Sequence, residues 1–211
     1  MNVLSLSATA AAVVVLCLIG APASLAAGDA DAGKNLVAAC AACHGQDGAT
    51  GLDGTYPNLA GQNEAYLARQ LQMIQSGERP ILLMTGQLTG KSEQDLADIA
   101  AYYASLPGKT GQAAGDDEQV AVAQRIYRGG IADKGVAACS ACHSPGGDGN
   151  AQAGFPRLGG QPAEYTVAQL KAYRERERNT DELYGGMMRD IAHSLTDTEI
   201  KALADFIQGL N

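Results

Sequence analysis

Two short stretches hold residue types that can do chemistry, Cys40-Ala-Ala-Cys43-His44 and Cys139-Ser-Ala-Cys142-His143. In each, two thiols stand three residues apart with an imidazole directly behind the second. Two thiols on one turn of chain can each add to one vinyl group at a haem edge, and the next residue then faces the iron as its proximal ligand. A dithiol redox motif or a structural disulfide would use the thiols but leaves both histidines without a purpose. A zinc site would need further His or Cys companions, which neither cluster has in its neighbourhood. The spacing therefore predicts two covalent haem c groups, attached at Cys40, Cys43, Cys139 and Cys142, with His44 and His143 on the irons.

The two stretches belong to a larger duplication. From Cys40–Leu71 to Cys139–Leu170 residues match at a constant spacing of 99, including Pro57 with Pro156, Leu59 with Leu158, Gly61-Gln62 with Gly160-Gln161, and Tyr66 with Tyr165. Later the spacing becomes 104, pairing Ser92 with Thr196, Ala100 with Ala204 and Leu106 with Leu210, so the second copy has gained five residues. This register selects second axial ligands for the irons. Met84 lies eight residues before Ser92 and Met188 eight before Thr196, whereas Met187 has no partner in the first copy and Met73 aligns with Ala172. A Met thioether opposite His leaves iron six-coordinate and raises its potential. His193 aligns with Thr89 and is read as a surface or loop residue. Pro57 and Pro156 each follow their histidine by thirteen residues; such a Pro can simply shape a loop, or its carbonyl can accept the other imidazole N–H.

The elements that must position these groups read as helices. Leu96, Ile99, Ala100 and Tyr103 have the spacing of an amphipathic helix behind an N-cap at Ser92, and Thr196-Asp-Thr-Glu opens the equivalent segment with a capping-box pattern. Tyr66–Ile74 and Tyr165–Tyr173 predict another helix in each copy, and a third precedes or contains each cysteine pair. Gly-rich loops connect them, no run alternates as a strand would, and the run RERER (174–178) reads as the solvated end of a helix. Residues 107–118 read as a linker between domains spanning 28–106 and 119–211.

Composition sets the setting. The 211 residues carry a net charge of −8, split evenly at −4 per half, with no Lys/Arg cluster to suggest a nucleic-acid surface. With no Trp, two Phe and eight Tyr, two small domains need an internal staple, and a haem in each supplies it. Residues 1–26 lack charge, centre on VVVLCLI (13–19) and end in small residues, which predicts an export signal cleaved after Ala26. The alternative is an uncleaved membrane anchor; Pro22 and the short apolar centre favour removal. Either way the rest of the chain is exported.

With these motifs, FPRLGGQ (155–161), YPNLAGQ (56–62), MTG (84–86) and FIQGL (206–210), the chain resembles the cytochrome c4 family over essentially its whole mature length. The resemblance implies an all-α fold of two tandem cytochrome c-like domains, each wrapped around one haem. It implies His44/Met84 and His143/Met188 ligation, and imidazole N–H bonds to the carbonyls of Pro57 and Pro156. Gln87 departs from the pattern, where several relatives carry a second Met. The family implies no enzyme but a periplasmic electron carrier, working from a quinol-oxidising cytochrome bc complex towards a haem-copper terminal oxidase, with membrane association through those partners or a retained leader. The alternatives are an electron-accepting subunit of a larger oxidoreductase, such as a sulfide-oxidising flavocytochrome, and a dihaem peroxidase or thiosulfate-oxidising enzyme. Enzymes of the last kind need an open or unusual iron ligand, such as a Cys outside the haem motifs, and a Met candidate for each iron argues against them.

Overall fold

The structure is a computed structural model that describes residues 27–84 and 86–210; the expected leader, 1–26, lies outside them. Among the described residues the regular elements are helices, with β-pairing confined to isolated bridges at Ile131–Val136 and Asn150–Phe155. No described helix is long and apolar enough to cross a membrane.

Each half packs a C-terminal helix against two others. In the first half α1 (Ala30–Lys34), the single motif turn α2 (Ala41–His44), α3 (Glu64–Ser76) and α4 (Glu93–Ser105) follow in order. Ser92 caps α4 through a reciprocal capping box with Asp95, which satisfies two backbone N–H groups at the helix start. The buried face of α4 is Leu96, Ile99, Ala100 and Tyr103, and it meets Leu67 of α3 and Val37. The crossing of α1 over α4 needs Gly33, because a Cβ there would lie 2.0 Å from the Asp98 carbonyl oxygen.

The second half repeats this with α5 (Asp117–Gly129), α6 (Ser140–His143), α7 (Ala163–Arg174), α8 (Met187–His193) and α9 (Asp197–Gln208). Thr196 and Glu199 form the capping box of α9. Ile200, Leu203, Phe206 and Ile207 pack on Ala123, Ile126 and Tyr127 of α5.

Two expectations change. Helix α5 begins at Asp117, capped by the Asp116 carboxylate, so the last residues of the expected linker are helical. The rest of that stretch is tied down, since Ala114 and Gly115 donate to the Asp205 carboxylate and Gln208 to the carbonyl of Gln112. The run RERER is only partly a solvated end: Glu175, Arg176 and Glu177 are exposed, but Arg178 turns inward and is 7% exposed. The reason is the turn beyond α7, where Arg176 adopts a left-handed φ of 60° and reverses the chain. His193 is exposed, as the surface reading expects, and stands at the end of α8.

Candidate functional site

Each CxxCH stretch folds as one helical turn. The N–H groups of Cys43 and His44 both donate to the Cys40 carbonyl, at 3.2 and 2.9 Å, and Cys142 and His143 do the same to Cys139. Thiols three residues apart on such a turn share a face. The four thiols are free of disulfides. Burial pushes the Cys139 thiol up to about 11 and raises Cys40 as well.

Both imidazoles are buried, and each is oriented by one bond. His44 Nδ1 lies 3.0 Å from the Pro57 carbonyl oxygen and His143 Nδ1 lies 2.9 Å from that of Pro156. An amide carbonyl has no proton to give, so Nδ1 carries the hydrogen and Nε2 keeps a free lone pair. Burial lowers the pKa of both rings, outweighing these bonds, and keeps them neutral, as metal ligation requires. An aromatic ring stands beside each imidazole: Tyr56 edge-on at 6.0 Å from His44, Phe155 at 6.2 Å from His143. These two occupy equivalent repeat positions.

The side chains line one apolar cavity of about 1190 Å³ that runs from one half into the other. Cys40, Cys43, His44 and Met84 line it on one side, Cys139, Cys142, His143 and Met188 on the other. Its volume exceeds the ~300–1,000 Å³ usual for a single small-molecule site. Met187 lines it too although it is 37% exposed, so the cavity wall by itself does not separate Met187 from Met188. Met73 stays outside, its sulfur 3.9 Å from the Gln70 amide on α3.

The thiol pairs, neutral imidazoles with free Nε2 atoms, a thioether in each half and an apolar wall fit two haems. Among the described residues, no three His, Cys, Asp or Glu side chains gather as a site for a bare metal ion.

The domain boundary forms part of this cavity, and from the sequence Gln62 and Gln161 stand only as matched positions of the repeat, with no role. Gln161 is held by Asn58, accepting from its N–H at 3.0 Å and donating to its carbonyl at 2.7 Å. Gln62 does the same to Arg157, at 2.7 and 2.9 Å. The two exchanges are copies related by the spacing of 99, and they explain the repeated Gly-Gln pairs. Gly61 and Gly160 take left-handed φ of 67° and 77°, where a Cβ would meet the backbone of Gly108 or Lys109. Arg69 adds a bridge that exists once, packed between the Tyr66 and Tyr184 rings and donating to the Gly154 carbonyl.

Arg79 and Arg178 also meet here. They too are 99 apart, a signal that would have shown the constant spacing extending past Leu71 and placed the five-residue insertion after Arg178. Those extra residues build a 3₁₀ turn, Glu182–Tyr184, and bring in Asp181, which is 3% exposed and pairs with Arg189 of α8 at 2.8 Å.

Comparison with known proteins agrees in both halves. The family model described as Cytochrome c matches residues 30–107 and 132–211. A cytochrome c4 of Pseudomonas aeruginosa is 48% identical, over 88% of this chain and 90% of the relative. A thiosulfate dehydrogenase electron acceptor of Thiomonas intermedia is 37% identical, over 89% of this chain and 83% of its own length. Among solved structures, reduced recombinant cytochrome c4 from Pseudomonas stutzeri superposes with a TM-score of 0.84 at 46% identity, covering 88% of this chain and all of the other.

Proposed function

This chain belongs to the cytochrome c4 family and carries two covalently attached haem c groups, and from that premise we propose that it is a periplasmic one-electron carrier between a quinol-oxidising cytochrome bc complex and a terminal oxidase. Bound haem supplies the chemistry, a single-electron exchange at iron. The chain supplies the rest. Cys40, Cys43, Cys139 and Cys142 hold the rings covalently. His44 and His143 offer Nε2 to the irons, with Pro57 and Pro156 fixing each imidazole through Nδ1. Met84 and Met188 would supply a thioether to each iron from the same cavity, which would leave no place for a substrate and keep reorganisation small. The observation that carries this reading is the doubled arrangement of a carbonyl-anchored histidine and a thioether lining the same apolar space.

The visible spectrum of the oxidised protein tests it. One Met–iron charge-transfer band per haem, with no carbon monoxide binding after reduction, is the expected result; gas binding at either haem overturns the carrier reading. A second reading, an electron acceptor for a thiosulfate-oxidising enzyme, takes support from the Thiomonas relative. Reduction rates with a quinol-supplied bc complex and with a thiosulfate dehydrogenase separate the two.

A further inference from the structure

Arg79 and Arg178 are 8% and 7% exposed, and both line the shared cavity. Their partners are uncharged. Arg79 donates to Gln70 Oε1 at 2.9 Å and, across the domain boundary, to Tyr165 Oη and Gln169 Oε1, each at 3.2 Å. Arg178 mirrors it, donating to Gln169 Oε1 at 2.7 Å and across the boundary to Tyr66 Oη and Gln70 Oε1, each at 3.0 Å. Its Nε donates to Thr180 Oγ1 and its plane covers the Tyr173 ring, 4.7 Å away. The ion pairs among the described residues involve other cations.

Two guanidinium groups buried together without a carboxylate repel each other and lose their hydration, an arrangement that calls for anions. A haem brings two carboxylates, on a different edge from the vinyl groups that the thiols take, and a guanidinium binds a carboxylate with paired donors.

We propose that Arg79 and Arg178 form one anion-binding pair that holds a carboxylate of each haem at the domain boundary. Because each guanidinium touches side chains of both halves, the pair ties the electrostatics of the two haems together. This inference rests on the two attached haems, and not on which proteins exchange electrons with them.

The test measures both midpoint potentials of the holoprotein by spectroelectrochemistry from pH 5 to 8, together with redox-difference infrared spectra, for the wild type, R79Q, R178Q, R79K and R178K. Tyr66 of α3 and Tyr165 and Tyr173 of α7 touch the pair, and Arg69, Arg157, the exposed Asp190 and the two motif histidines line the same cavity. Glu78 and Glu177 lie beside it but are exposed, and Asp181 is held by Arg189. In the wild type the two carboxylates held by guanidinium stay ionised, so any pH dependence comes from the other two alone. Each Gln variant leaves a carboxylate uncompensated, which favours ferric iron. Both potentials then fall, they fall further as pH rises through the carboxyl titration, and a protonated carboxyl band appears in the infrared at the acid end. The Lys variants restore most of the wild-type behaviour. Gln variants that retain both haems with the wild-type potentials and the wild-type carboxyl titration would show that the pair only joins the domains, and overturn the proposal. A wild-type infrared spectrum in which all four haem carboxyls protonate between pH 8 and pH 5 overturns it equally, because the two held carboxylates should stay ionised, and this keeps the test decisive if the Gln variants fail to assemble.

Discussion

Met84 and Met188 are the residues on which the proposed ligation turns, and the structure makes their test sharper. Met187 and Met188 are neighbours at the start of α8, and both line the cavity. Under the repeat register, Met188→Leu abolishes one charge-transfer band and lets one ferrous haem bind carbon monoxide, while Met187→Leu leaves both bands intact. The opposite pattern would shift the register by one residue. A second prediction concerns Asp197, the first residue of α9, whose carboxyl is held down at about 2 by hydrogen bonds from Lys171 and Arg174. A carboxylate depressed in the folded state contributes stability above its unfolded pKa of roughly 3.9, and that contribution disappears as pH falls towards the folded value. Asp197→Asn therefore flattens the loss of stability between about pH 4 and pH 2. The difference is small because the group is exposed, and it shrinks further in high salt. Denaturant midpoints of the holoprotein across that range measure both effects.

At the scale of elements, the two halves hold the same frame by different means. α1 has five residues and reaches α4 by close approach at Gly33, while α5 has thirteen and buries Ala123, Ile126 and Tyr127 against α9. Gly33→Ala would drive a methyl group into the α4 backbone at Asp98, where no flexible side chain can give way. Overpacking of this kind costs about 1–3 kcal/mol, so the variant should lose stability while keeping the spectrum of the second haem unchanged. The methionine segments differ as well. Met188 rides on α8, which Asp181 clamps by accepting from the Arg189 N–H at 3.0 Å and pairing with its side chain. Met84 sits in a turn segment with exposed Leu82 and Leu83 before it, and the amide of Gln75 anchors the chain beyond at Leu88 and Lys91.

As a whole, the molecule is two domains closed over one apolar space. Without the haems that space of about 1190 Å³ opens the core of both halves, and empty apolar volume destabilises steeply. Chain made without haem attachment should show little near-UV circular dichroism; a cooperative, well-packed haem-free form would contradict this. The boundary itself rests on reciprocal bonds from Gln62 and Gln161 to backbone on the other side. Removing both glutamines leaves buried backbone groups unpaired, so Gln62→Ala/Gln161→Ala should split one thermal transition into two. Scanning calorimetry of the holoprotein decides this, and a single transition would mean that the remaining boundary bonds, from Arg69, Arg79, Arg178, Asn58, Asn63 and the Tyr165 N–H, suffice to join the halves.

Whatever depends on near neighbours in the chain is legible from the residues alone. A one-turn CxxCH, the capping boxes at Ser92 and Thr196, and the buried face of α4 follow from spacing within a few residues, and the duplication exposed the Met84 and Met188 candidates without any fold. The same register held Arg79 with Arg178 and Asn58 with Arg157, but nothing along the chain says that a residue's partner lies in the other copy. Hence RERER reads as a solvated end although Arg178 is buried: its neighbours in sequence are charged and exposed, while Tyr66 and Gln70 come from the other domain. That the two haem pockets open into one space, that the repeated Gly-Gln pairs hold the boundary, and that two cations meet there shows only in the packed molecule. Those facts depend on contacts between segments about a hundred residues apart, and the periodicity of a helix records only which face is buried, never what lies against it.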